Sequence, residues 1–395
     1  MPISSPTMLH GQAQRSRRRF GLWAAQAALA IFICALIGAA AFNVAQNLLR
    51  AHIASGFGFW NNTAGFDISQ TLIGYSANAS TFGRAFWVGL VNTLVVAALG
   101  IICATIVGFL IGLGRLSPNW LVARLCGGYV EVIRNIPLLL QLLFWYNAVL
   151  KSLPDLRGSL RLPGGAVLNN RGLFLPHADF GVSSVAALIA ILAALVAAMA
   201  LRTWARRRFE LTGKQPPVAL PTLGLFIGFP LIALAITGVP LRLGELHVSR
   251  FNVSGGVEIL PEFAALVVAL SLYTAAFIAE VVRAGIQSVA HGQVEAAQSL
   301  GLRAGATLRL VVIPQAMRVI IPPLTSQYLN LLKNSSLAVA IGYPDLVQVF
   351  AGSVLNITGQ AVEVIAITMA VYLAISLFVS LLMNLYARRM SIVDH

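Results

Sequence analysis

Long runs with almost no charge recur along the chain, and they restrict the fold more than any other feature. Residues 21–42, 85–114 and 362–387 are the clearest of them. At 1.5 Å rise per residue, about 20 helical residues cross the hydrocarbon core of a bilayer. Within that core each backbone N–H and C=O must be bonded inside its own segment, which leaves helices for runs of this length. Composition agrees: 58% of the 395 residues are hydrophobic and 10% are charged, against about 25% charged in soluble domains. The expectation is an all-α, polytopic membrane protein.

Charge sets the orientation. Lys and Arg number 27 against 13 Asp and Glu, a formal net charge of +14. In a soluble chain this excess would point to nucleic acid; here the positive-inside rule explains it, and no nucleic acid is expected. Arg15, Arg17, Arg18 and Arg19, then Arg206 to Arg208, then Arg388 and Arg389 mark cytoplasmic segments. About eight spans follow, near residues 21–42, 85–114, 122–150 (bent at Pro137), 180–201, 217–239, 262–282, 311–332 and 362–387, with both termini cytoplasmic. Residues 43–84, with aromatics at 57–60 placed near the interface, and 241–261 become outside loops. One loop resists this scheme. Residues 151–179, a Pro/Gly/Arg-rich linker, carry Lys151, Arg157, Arg161 and Arg171 yet fall outside.

Enzymatic signatures are missing from the sequence. Gly213-Lys214 is followed by Gln215 and lacks the upstream glycine of a phosphate-binding loop. There is no dinucleotide fingerprint, nucleophile elbow or metal-ligand spacing among the six His and three Cys (Cys34, Cys103, Cys126). No catalytic or metal site and no bound cofactor are expected, and any ATPase must be another chain.

The segment His291 to Pro314 is polar and Gly-punctuated between two apolar runs. Gln293 to Leu300 contains good helix formers and no Gly or Pro, which predicts a short helix. Val294, Ala297, Gln298 and Leu300 give it a thin apolar stripe. Gly301 suits the left-handed end of that helix, Gly305 a second bend, and Pro314 the start of the next helix. Such a knob fits a partner's groove; on its physics alone an ordinary surface loop is the favoured reading.

The segment's residues also carry a resemblance. Glu295-Ala296-Ala297, then Gly301, then Val311-x-Ile313-Pro314 resemble the cytoplasmic EAA signature of ABC-importer permeases. The flanking blocks YTAAFIAEVVR (273–283) and LKNSSLAVAIG (332–342) extend the likeness, as does Arg134-Asn135-Ile136-Pro137 before Leu138-Leu139. Together they resemble permeases of the polar amino acid uptake family (histidine-permease-like), most of all the long permeases of general L-amino-acid importers. The resemblance implies a type I importer (MetI-like) core in residues 85–150 and 262–390, with the EAA loop at 283–310. A basic tail (1–20), an extra first span and loop (21–84) and an inserted loop and hairpin (151–261) are additions. It implies a bacterial inner membrane location, a dimer of ATPase subunits carrying ATP and Mg, a periplasmic amino-acid-binding protein, and a second homologous permease in a heterodimer. Glu295, Ala296, Ala297 and Gly301 would couple to the ATPase.

Polar groups placed in or beside spans are the candidates for a substrate pathway, since a charge at a span centre costs roughly 2.5–3.5 kcal/mol. They are Glu131, Arg134, Asn135, Glu280, Lys333, Asn334, Ser335 and Ser336. The cluster 333–336 offers an ammonium, an amide and two hydroxyls to an amino acid's carboxylate, or simply caps a helix break. Glu280 and Arg283 could neutralise each other at i, i+3; Arg318 could snorkel to headgroups; Glu363 would face protein or water. The rival reading is an ion-coupled secondary transporter, which would show inverted repeats and midplane carboxylates.

Overall fold

The computed structural model describes residues 7–50, 55–176, 182–212, 218–237, 246–248 and 253–390. The Gly213-Lys214 pair, residues 241–245 and 249–252 of the 241–261 loop, and the side chains of Arg15, Arg17 to Arg19, Arg206 and Arg389 lie outside the description. In chain order the helices are α1 (Thr7–Arg50), α2 (Phe82–Gly114), α3 (Trp120–Asn135), α4 (Leu138–Leu143), α5 (Val182–Thr212), α6 (Ala219–Thr237) and α7 (Pro261–Gln287). They continue with α8 (His291–Ser299), α9 (Ala304–Thr307), α10 (Ile313–Asn334), α11 (Leu355–Thr358) and α12 (Ala361–Met390). Strands are β1 (Leu160–Arg161), β2 (Val167–Asn169), β3 (Gly172–Pro176), β4 (His247–Val248), β5 (Val253–Ser254) and β6 (Gly256–Ile259).

Among the described residues, 5 helices are long and apolar enough to cross a membrane, or 6 counting α3 with α4 and its continuation to Leu150 as one broken span. The apolar parts of α5 and α6, Ile189–Ala205 and Leu220–Ala233, are shorter. The count of eight therefore depends on that hairpin. The chain divides into two compact units, one of residues 1–91 and 346–375, the other of residues 92–345 and 376–395.

In the first unit the loop after α1 is a folded cap. Phe59, Phe82, Phe86 and Phe350 are buried together, with Trp60 and Phe66 packed on them, while Phe57 is exposed. The Phe59 and Trp60 rings lie 6.2 and 5.9 Å from that of Phe350. Tyr75 donates to the Phe66 carbonyl at 2.7 Å and Arg84 Nε to the Gly74 carbonyl at 2.8 Å, so the loop's polar groups are bonded locally. Glu363, in the first turn of α12, accepts the Gly56 N–H, where a helix N-terminus also favours its charge.

The second unit is built round α7. Ala265, Leu266, Ala269, Leu270, Ala275, Ala276, Ile278, Ala279 and Val282 are all fully buried. Small residues let its neighbours approach closely. A Cβ on Gly108 of α2 would come within 2.7 Å of Ile278 Cβ, one on Gly112 within 2.9 Å of the Ala279 carbonyl, and one on Gly285 of α7 within 2.3 Å of Ile320 on α10. Tyr129 of α3 donates to the Leu272 carbonyl of α7 at 2.7 Å.

The third span is broken, not merely bent: α3 and the helix after it meet at 104°. Ile136, before a proline, is extended at φ −98 and ψ 128. Gln141 Nε2 donates to the freed carbonyls of Ile133 and Ile136 at 2.8 and 2.9 Å. The linker 151–179 is also more than a linker, since the all-α expectation leaves out a small antiparallel sheet there, ordered β1-β2-β3-β6. Leu156, Val167, Phe174 and Val253 form its core. Finally, Pro314 stands in the first turn of α10, but α10 continues a helix already under way. A continuous helical run covers Ala304–Ile341, with a π-turn at Leu308–Val312 before the proline. Gly305 sits within α9 instead of marking a bend.

Candidate functional site

Two features of the second unit are the candidates for function, the helix α8 and a polar lane along α7. The helix spans His291–Ser299, two residues earlier at its start than the sequence suggests. Its end is a hydrogen-bonded left-handed cap: Leu302 N–H donates to the Ala297 carbonyl at 3.1 Å and Gly301 N–H to the Gln298 carbonyl at 2.9 Å. Gly301 has φ +74, and a Cβ there would meet nothing within 4 Å. Its requirement is therefore backbone conformation, with open space around it. Ala297 is buried and Val294 half-buried against the protein, while Glu295, Ala296 and Gln298 are exposed. Leu300, expected on the inward stripe, is 82% exposed instead. The cap rotates its side chain away from the protein, so the knob presents Glu295, Ala296, Gln298 and Leu300 outward.

The lane follows one flank of α7, where Tyr273, Phe277, Glu280, Arg283 and Gln287 succeed each other at helical spacing. Three cavities line it. One of about 390 Å³ is bounded by Arg115, Arg124, Gly127, Gly128, Glu131, Arg283 and Gln287. The next, about 380 Å³, adds Arg134, Asn135, Phe277 and Glu280 to Arg115 and Glu131. The third, about 300 Å³, is lined by Tyr273, Thr274, Phe277, Gln327, Asn330 and Asn334.

The electrostatics of the lane are set by a triad. Glu280 accepts from both Arg115 and Arg283, so the self-neutralising i, i+3 pair has a third member from the end of α2. One carboxylate between two guanidiniums leaves a net positive charge. Arg134 lies with its guanidinium carbon 5.0 Å above the Phe277 ring, and Asn135 donates its amide to the Glu131 carbonyl at 2.7 Å. Thus Glu131, Arg134, Asn135 and Glu280 are brought together on one cavity.

The 333–336 cluster is divided. Asn334 lines the amide-rich cavity, and Lys333 is exposed but lines none of the three. Ser335 and Ser336 donate to the carbonyls of Leu332 and Lys333 at 2.7 Å each, bonds within the continuous helical run and not the cap of a helix break. Arg318 is half-buried, with its Nε lacking a hydrogen-bond partner among the described residues. Gln327, Asn330, Tyr273 and Thr274 were not among the pathway candidates from sequence; for Gln327 and Asn330 the signal was the polarity of the 311–332 span, and Tyr273 and Thr274 lie on α7. Among the described residues no group of His, Cys, Asp or Glu could hold a metal ion.

Residues 191–392 match the family model for the binding-protein-dependent transport system inner membrane component. The chain is 51% identical over 354 residues to the general L-amino acid transport system permease protein AapQ of Rhizobium johnstonii, covering 90% of this chain and 88% of that one. It is 50% identical over 376 residues to the putative amino-acid ABC transporter permease protein YhdX of Escherichia coli, covering 94% of each. With the glutamate/glutamine/aspartate/asparagine transport system permease protein BztB of Rhodobacter capsulatus the identity is 43%, over 86% of each chain. Membership of such a system implies partner ATPase and binding-protein subunits and a multi-pass, non-catalytic role for this chain. The chain belongs to the family of inner membrane components of binding-protein-dependent transport systems.

Proposed function

We propose that the protein is a permease subunit of an ATP-driven importer of polar L-amino acids, working by alternating access. The observation that carries this reading is α8, a polar helix ended by a left-handed glycine and displaying Glu295. It docks in the groove of a partner ATPase that binds ATP and Mg. Substrate arrives from a binding protein on the outer side and passes along the α7 lane, where Glu131, Arg134, Asn135, Glu280 and Asn334 contact it. Both termini lie in the cytoplasm, the core comprises residues 85–150 and 262–390, and the second permease is a homologous, non-identical chain. The names of AapQ, YhdX and BztB support amino acids as the substrate class.

The test is reconstitution in proteoliposomes with the ATPase, the second permease and the binding protein, measuring uptake of labelled L-amino acids. ATP-dependent uptake that requires the binding protein is expected. Uptake that persists without ATPase and follows a Na⁺ or H⁺ gradient would instead establish the ion-coupled alternative.

A further inference from the structure

The three cavities along α7 are joined unequally. The two charged ones share both Arg115 and Glu131, whereas the amide-lined and charged cavities have only Phe277 in common. Phe277 is half-buried. The Tyr273 ring, one turn away on the same helix, lies 4.9 Å from it at 52°. Arg134 covers the Phe277 ring at 5.0 Å. Chemistry changes across this ring, with hydroxyls and amides (Tyr273, Thr274, Gln327, Asn330, Asn334) on one side and Arg115, Glu131, Arg134 and Glu280 on the other.

The arginines at this boundary are not equivalent. Arg115 and Arg283 are held by Glu280. Arg134 forms no ion pair among the described residues, and an aromatic face is what it rests on. A ring quadrupole attracts a guanidinium far less than a carboxylate does, because the carboxylate accepts two parallel N–H bonds. A carboxylate entering from the amide side therefore outcompetes the ring for Arg134.

We propose that Phe277 is a positioning residue for translocation: its ring partitions the amide chamber from the charged chamber and parks Arg134 until the substrate's α-carboxylate takes the guanidinium. This rests on the amino-acid permease reading and goes further, naming the partition and the exchange that opens it. Every amino acid carries an α-carboxylate, so the exchange operates whatever the side chain. It fits a permease of broad range. An aromatic replacement preserves the parking face, and an aliphatic one of similar bulk removes it.

The experiment uses the full reconstituted importer and measures amino acid moved per ATP hydrolysed, a ratio that a merely structural residue would leave unchanged. Phe277→Tyr is expected to keep the parental ratio, and Phe277→Leu to lower it about five-fold or more. Arg134→Met, at an exposed position, is expected to lower it similarly and decides the matter if Phe277→Leu fails to assemble. Parental ratios in Phe277→Leu or Arg134→Met, or a Phe277→Tyr as poor as Leu, overturn the partition while leaving the importer reading intact. A parental complex that moves no amino acid on ATP overturns the importer reading itself, and the partition with it.

Discussion

Gly301 and Glu280 show how single residues are held by opposite physics. Gly301 touches nothing through its missing side chain, yet its φ of +74 is open to few residues other than glycine. Replacing it by Val costs about 1–2 kcal/mol at the helix end and disorders the outward face of α8. Gly301→Val is therefore expected to reach the membrane at parental levels while the ATPase no longer co-purifies and uptake is lost. Glu295→Ala, which leaves the cap intact, should weaken co-purification less. Parental co-purification in Gly301→Val would mean that α8 is only a loop. Glu280, in contrast, is fixed by two partners on two helices. It keeps 28% side-chain exposure, so solvent screens the pair. A double-mutant cycle of Arg115→Met with Glu280→Gln, read by thermal unfolding of the detergent-purified protein, should give a coupling of about 1 kcal/mol.

At the scale of elements, α7 is held by small residues on its neighbours and on itself. Gly108 and Gly285 each occupy a place where a Cβ falls inside another side chain's contact distance. Gly108→Val and Gly285→Leu should each destabilise the protein by about 1–3 kcal/mol, seen as a lower Tm. Gly305 supplies the control. It lies inside α9, and a methyl group added there would have nothing within 4 Å, so Gly305→Ala should be neutral or stabilise by up to about 1 kcal/mol. Equal losses for all three would mean that close helix approach is not what these glycines provide. The sequence shows the Gly108-x-x-x-Gly112 pattern plainly, but which helix meets it is a tertiary fact.

For the whole molecule, the distribution of basic residues assigns each loop to a side of the membrane. Arg161 of β1 and Arg157 in the turn just before it are exposed in a segment read as outside, against the trend for basic residues. A cysteine at Arg157, in a chain whose Cys34, Cys103 and Cys126 are replaced, should react with a membrane-impermeant maleimide added to spheroplasts. Reaction only in inside-out vesicles would reverse the hairpin α5–α6 and reduce the count of eight spans.

The sequence alone determined what rests on local chemistry: the apolar runs that must be helices, a change of direction at Pro137, and the short helix before Gly301; that the change amounts to a break of 104° came from the structure. Length, hydrophobicity and backbone preference act within a few turns, so they are written locally. The EAA pattern was equally local, which is why the family was legible before the geometry of α8. Tertiary structure decided what joins residues far apart. Pairing of β3 with β6 spans the whole α5–α6 hairpin, and strands so short carry little periodicity of their own. Arg115 meets Glu280 across 165 positions, and nothing in either segment encodes the other. Of the 333–336 cluster, only the packing of α10 on α7 selects Asn334 for the cavity and turns Ser335 and Ser336 to their own helix, because burial and not residue type determines which polar groups stay open to a ligand.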